Sequence, residues 1–214
     1  MTTNILEVID EIWKDTPLDL VRAYYCEQAP FNGAYFELLG SDDFHPNVFA
    51  AADLYAVSTL SVSVPIEAGI SILQRDSKIF NDLLGEIPNK QLGHLSRQEF
   101  DKSMGPGSPA LNLWNRLCRN GREECKWGVG PTTASKIMAR KRPGLIPIED
   151  SVLDQVLQRG KQNSWEMWWR ALHDGGEKLE DRAEQIRVAV NRPDLSNLRA
   201  FDVLLWRWGK SKGY

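Results

Sequence analysis

The sequence lacks most features that would hold a chain together, or anchor it, without a packed core. Its three cysteines, Cys26, Cys118 and Cys125, are too few and too scattered for a disulfide framework. No CxxC pair occurs and no histidine stands near them, so a zinc site is not expected. The thiols read as small apolar groups. His45, His94 and His173 are dispersed, with no metal spacing. No apolar run approaches the ~20 residues that span a bilayer. The opening MTTNILEVIDEIWKD has no basic region of the kind that begins a secretory leader. These absences predict a cytoplasmic protein with no membrane partner, no metal and no cofactor. Charge of one sign is also missing. The net is only -3, so overall charge does not advertise nucleic-acid binding.

Strand signals are scarce. Only SVSV, at residues 61–64, could be a short strand, and Pro65 ends it quickly. Helical punctuation recurs instead. Ile5, Ile9, Ile12 and Trp13 fall on one face of a first helix. Thr16-Pro17 reads as an N-cap with proline at the first helical position. Residues 49–60, 66–74, 76–85, 151–159, 164–173, 176–190 and 195–208 read as further helices, and one restarts at Ser108-Pro109. Asp194 or Ser196 is expected to cap the last helix, and Asn163 or Ser164 an earlier one. Residues 29–47 read as a loop. Residues 86–107, with Pro88, Gly93, Gly105, Pro106 and Gly107, read as a linker or a crossing between lobes. The expected fold is therefore all-α, one two-lobed helical domain over residues 1–214. Eight tryptophans are many for this length, but tryptophan usually fills cores or interfaces and names no ligand by itself.

One stretch stands out from this background: WGVGPTTASKIMARKRPGLIPIEDSVL, residues 127–153. Gly128 and Gly130 flank Val129, a pattern suited to a tight turn and to close approach by another backbone. Val129 should point inward and lock the turn. Pro131 suits the first position of a new helix. The N–H groups of such a turn and helix start can cradle a phosphate oxygen. Residues 119–142 carry seven basic side chains (Arg119, Arg122, Lys126, Lys136, Arg140, Lys141, Arg142) against two acids. That local net of +5 leaves -8 for the rest of the chain. A localised basic stripe on an acidic body is a DNA-backbone footprint. A purely structural turn and a solvated cationic helix end are the competing readings.

GVGPTTASKI resembles the hairpin and second helix of a helix-hairpin-helix motif, here residues 108–142. With RPGLIPIEDSV, the likeness to the helix-hairpin-helix DNA glycosylase superfamily extends over residues 108–156. This resemblance implies that Lys126, Gly128, Val129, Gly130, Thr132, Thr133, Lys136, Arg140, Lys141 and Arg142 lie at a duplex DNA backbone. It also implies a catalytic acid at the start of the next helix, Glu149 or Asp150. Lys126-Trp127 replaces the usual Leu-Pro, and Ser151 stands where histidine is common. Thr132 occupies the place of the Schiff-base lysine, and a threonine cannot form that imine. The activity implied is thus monofunctional base excision. A non-catalytic DNA-binding module and a protein-interaction domain that keeps the fold are the alternatives. For Asp150 or Ser151, plain helix capping competes with catalysis. ADLYAVSTLSV, ARKRPGLIPIEDSV and LRAFDVLLW also resemble an uncharacterised actinobacterial family, which implies no activity.

Overall fold

The structure, a computed structural model, describes residues 4–15, 17–118 and 127–214. It is all-α. Among the described residues there are eleven α-helices and no strand, so SVSV is not one. No helix among them is long and apolar enough to cross a membrane. The chain divides into two compact units. One comprises Met1–Phe31, Gln91–Leu95 and Pro143–Tyr214, and the other Asn32–Lys90 and Ser96–Arg142.

The first unit holds α1 (Ile5–Ile12), α2 (Pro17–Tyr24), α9 (Ser151–Val156), α10 (Ser164–Val190) and α11 (Asn197–Ser211). Ile5, Ile9 and Ile12 bury one face of α1, as their spacing predicts. Each such side chain contributes roughly 1.5–3 kcal/mol when fully buried. Asn163 and Ser196 accept N–H bonds at the starts of α10 and α11, which settles both capping alternatives. Thr16, the expected cap of α2, lies outside the described residues. Gly176 (φ +40°) kinks α10 between the two helices expected there. Trp165, Trp168 and Trp169 are buried in its first half, so this aromatic cluster is core.

The short segment 91–95 is tied in by several polar contacts, among them His173 Nδ1 with Gly93 O at 3.3 Å. Leu92 N–H donates to Gly144 O at 2.8 Å, and Trp169 Nε1 to Leu95 O at 2.8 Å. His94 meets Glu180 at 2.6 Å. Gly93 passes so close to α10 that an added Cβ would lie 2.7 Å from Leu172 Cβ. Helix α11 approaches α9 just as closely. A Cβ on Gly209 would stand 2.6 Å from Val152 Cγ1 and 2.7 Å from Val156 Cγ2.

The second unit holds α3 (Ala51–Ser58), α4 (Ile66–Ile70) running into a π-helical turn (Ser71–Arg75), α5 (Ser77–Glu86), α6 (Arg97–Met104), α7 (Pro109–Cys118) and α8 (Pro131–Lys141). Phe80, Leu84, Leu113 and Leu117 form its apolar centre. Helix α6 lies inside the span that reads as a linker. Its start was written in the sequence as Ser96-Arg97-Gln98-Glu99, a capping box. Glu99 accepts from Lys90 Nζ at 2.7 Å and from the Ser96 N–H and hydroxyl, both at 2.9 Å.

The Lys90 bond, with the two Ser96 donors, lowers the Glu99 carboxyl from 4.5 to about 2. A depressed carboxylate supports folding fully above its unfolded value, and that support is lost as pH falls through the folded one. An NMR titration of Glu99 should therefore give a midpoint near 2, moving toward 4.5 in Lys90→Ala. A wild-type midpoint near 4.5 would show that the capping box does not hold in solution.

Candidate functional site

The hairpin is built as the glycines suggest. Gly128 takes φ +79°, a left-handed conformation open to glycine, and a Cβ there would also meet Pro65 Cγ at 3.0 Å. Val129 points inward, 6% exposed. Trp127 anchors the turn from behind. Its indole N–H donates to Leu117 O at 2.7 Å, and its ring stacks on Phe80. Gly130 is the N-cap of α8 in extended conformation, and Pro131 fills the first position. No side chain caps this helix start. Thr132 is half-buried, whereas Thr133 is buried. Lys126, with Arg119 and Arg122, lies outside the described residues.

The rest of the predicted basic stripe is turned the other way. Lys136, Arg140, Lys141 and Arg142 are between 1% and 5% exposed, which removes them from any phosphate-contacting surface. Lys136 Nζ donates to Leu60 O at 2.9 Å. Arg140 binds Asp53 at 3.2 Å and the carbonyls of Phe36 and Leu39. Lys141 Nζ lies 2.6 Å from the other Asp53 oxygen and 4.2 Å from the centre of the Phe44 ring. Arg142 donates to the carbonyls of Ile87 (2.9 Å), Leu84 (2.6 Å) and Pro46 (2.6 Å), and to Asn47 Oδ1 (2.7 Å).

The physical reason is that α8 is buried on every side from Thr133 onward. Buried cations must find acceptors, and these find them in α3, the end of α5 and the loop at residues 36–47. The organising group is Asp53, 4% exposed, which sequence reading passed over. Its signal was an acid set among apolar residues in AADLYAV, at the third position of a buried helix. There it also accepts the Ala50 N–H at 2.9 Å.

Burial pushes the Lys141 ammonium below the usual lysine range, and the Asp53 contact only partly restores it. Between that lowered folded value and 10.5 the unfolded chain binds more protons. The contribution of Lys141 to stability therefore rises with pH across that alkaline window. Burial lowers the Arg142 value too.

The two candidate acids sit in the first unit, and both are engaged. Asp150 is the N-cap of α9; its carboxylate accepts the Val152 N–H at 3.0 Å. Glu149, half-buried, accepts the Ser164 hydroxyl and stands 3.6 Å from Arg159. Asp154 grips Arg159 with both oxygens, at 2.6 and 2.8 Å, and this pairing raises the guanidinium further above its ordinary value. Asp150 thus does what a capping residue does, at the helix start where the glycosylase likeness places its acid.

The same unit has a cavity of about 470 Å³ between the start of α1 and the first turns of α10. Ile5, Leu6, Met167 and Ala171 line it with apolar side chains, and Glu166, Arg170 and Asp174 with charged ones, Glu166 pairing with Arg170 at 2.7 Å. Neither Glu149 nor Asp150 lines it. Its walls come from segments more than 150 residues apart, so no local pattern announces it. No group of three or more potential metal ligands occurs among the described residues.

Neither the curated proteins nor the solved structures offer a match to this chain. A family described as of unknown function, DUF6308, matches residues 17–209, nearly the whole chain and both compact units. The chain belongs to that family.

Proposed function

We propose that this protein binds duplex DNA by its sugar-phosphate backbone, at the hairpin Gly128–Pro131, as a relative of the helix-hairpin-helix DNA glycosylases that does not itself excise bases. The observation that carries this reading is the start of α8. An eleven-residue helix opens on Gly130 and Pro131 with no side-chain cap, behind a left-handed glycine. Such a helix start favours an anion through its N–H groups and its dipole. Arg119, Arg122 and Lys126 precede it in sequence, against Glu123 and Glu124, so the stretch 119–126 carries a net charge of +1. The three buried cations of α8, and Arg142 at its C-cap, play no part in the contact. They shape the body that presents the hairpin.

The test is Thr132→Glu. An acid in the first turn of a helix is favourable to folding, by roughly 0.3–1 kcal/mol, yet it repels phosphate. Wild-type protein should bind a short duplex at low salt, with affinity falling steeply as salt rises. Thr132→Glu should bind at least about tenfold more weakly, a loss of about 1.4 kcal/mol, while unfolding no more easily than wild type. Absence of wild-type binding, or equal binding by the variant, rejects the hairpin interface.

One observation favours the excision reading: Asp150 is the N-cap of the helix that follows α8 in the sequence. Asp150→Asn separates the roles, because asparagine caps a helix about as well as aspartate. Base release from mismatched or alkylated duplexes that is present in wild type and lost in this variant, at unchanged stability, would replace binding by catalysis.

A further inference from the structure

A second surface carries chemistry that the hairpin does not use. Helix α11 is buried from Leu198 to Leu205 and then emerges. Trp206, Arg207 and Trp208 are half-exposed, and Lys210, Lys212 and Tyr214 are exposed. Each cation lies over an aromatic ring. The Arg207 guanidinium is 4.6 Å from the centre of Phe31, Lys210 Nζ is 5.9 Å from Trp206, and Lys212 Nζ is 5.7 Å from Trp208. Tyr214 tilts against Trp208 at 6.4 Å.

These cations differ from those of α8 in one decisive respect. Among the described residues Arg207 donates to the Leu20 carbonyl, and Lys210 to a main-chain oxygen of Tyr214, the last residue of the sequence. Among the described residues no side-chain carboxylate pairs with Arg207, Lys210 or Lys212, although most basic groups elsewhere in the chain have one. An isolated surface tryptophan needs no explanation. A run in which aromatics are interleaved with cations that no described side-chain carboxylate meets is a different matter, since rings offer flat apolar faces and the cations beside them offer charge. That combination fits a single-stranded polynucleotide, whose unstacked bases lie on aromatic faces while its phosphates meet lysine and arginine. A duplex hides its base faces, and an acidic peptide has none.

We infer that the end of α11 and the residues that follow it, from Trp206 to Tyr214, form a binding surface for single-stranded nucleic acid. This surface is independent of the hairpin and stands whether or not the hairpin grips a duplex.

The experiment measures fluorescence anisotropy of labelled oligo-dT and oligo-U with the full chain at low salt, with poly-glutamate as competitor. Wild type should bind at least one of the two strands, and the preferred sugar identifies DNA or RNA as the source. Lys210→Glu/Lys212→Glu, both exposed, should weaken binding by at least about tenfold. Tyr214→Ser, which removes a stacking face and no charge, should weaken it by about fivefold or more. Thr132→Glu at the hairpin should leave it unchanged, so failure of one site is distinct from failure of the other. No binding to either strand, full competition by poly-glutamate, or full affinity in Tyr214→Ser each overturns the proposal.

Discussion

Replacing Asp53 with alanine is expected to cost about 3–5 kcal/mol of stability, the range for removing one partner of a buried ion pair. Asp53 pairs with both Arg140 and Lys141, with all three side chains at most 5% exposed. Without it two buried cations face each other with no counter-charge. The loss should show in urea unfolding as a lower midpoint, or as failure to fold at all. Asp53→Asn keeps the shape and one acceptor oxygen and should lose somewhat less. The companion variant Asp53→Asn/Lys141→Met removes one stranded charge and should regain part of the loss. A fall of under about 1 kcal/mol in Asp53→Ala, the scale of an exposed pair, would mean that this network is hydrated in solution.

Arg142→Lys tests the same region from the other side. If Arg142 met phosphate at a surface, lysine would serve nearly as well. In the fold, the guanidinium spreads its donors over five acceptors, the four above and Lys141 O at 3.0 Å. An ammonium is a compact point charge with three donors and cannot reproduce that fork. At least two of the five bonds would be lost, and each acceptor left buried and unpaired costs roughly 1–3 kcal/mol. We therefore expect a loss of about 3 kcal/mol or more. Faster amide exchange should appear around residues 46–49, which Arg142 holds through Pro46 O and Asn47. Unchanged exchange there, with unchanged unfolding, would contradict the structure of this site.

The helical elements were largely legible because their signals are local. Ile5, Ile9 and Ile12 gave away α1 by spacing alone, and Ser196 marked the start of α11. The turn at Gly128–Gly130 was legible for the same reason, since a left-handed backbone position needs glycine. The direction faced by α8 was not legible. A run such as Ala139-Arg140-Lys141-Arg142 has the same composition whether it meets water or a buried carboxylate. What decides is Asp53, 87 residues away from Arg140 along the chain. Sequence can flag Asp53 as an acid out of place among apolar neighbours, but its partners are a product of the fold. The cavity beside α10 was hidden likewise, because its lining is contributed by distant segments. Helix α6 was overlooked although its capping box is local, because the surrounding glycines and prolines dominate the reading of residues 86–107.

The division of the chain has a consequence for synthesis. Once residue 142 has left the ribosome, every residue of the second unit is available, and that unit can close while translation continues. The first unit cannot. Helices α1 and α2 emerge first but rest against α10 and α11, which come last. Ile5, Ile9 and Ile12 must wait, apolar and uncovered, through most of the chain's production. A nascent chain halted shortly after residue 142 should thus carry one finished body and one sticky leading end, the natural substrate of a chaperone that greets new polypeptides.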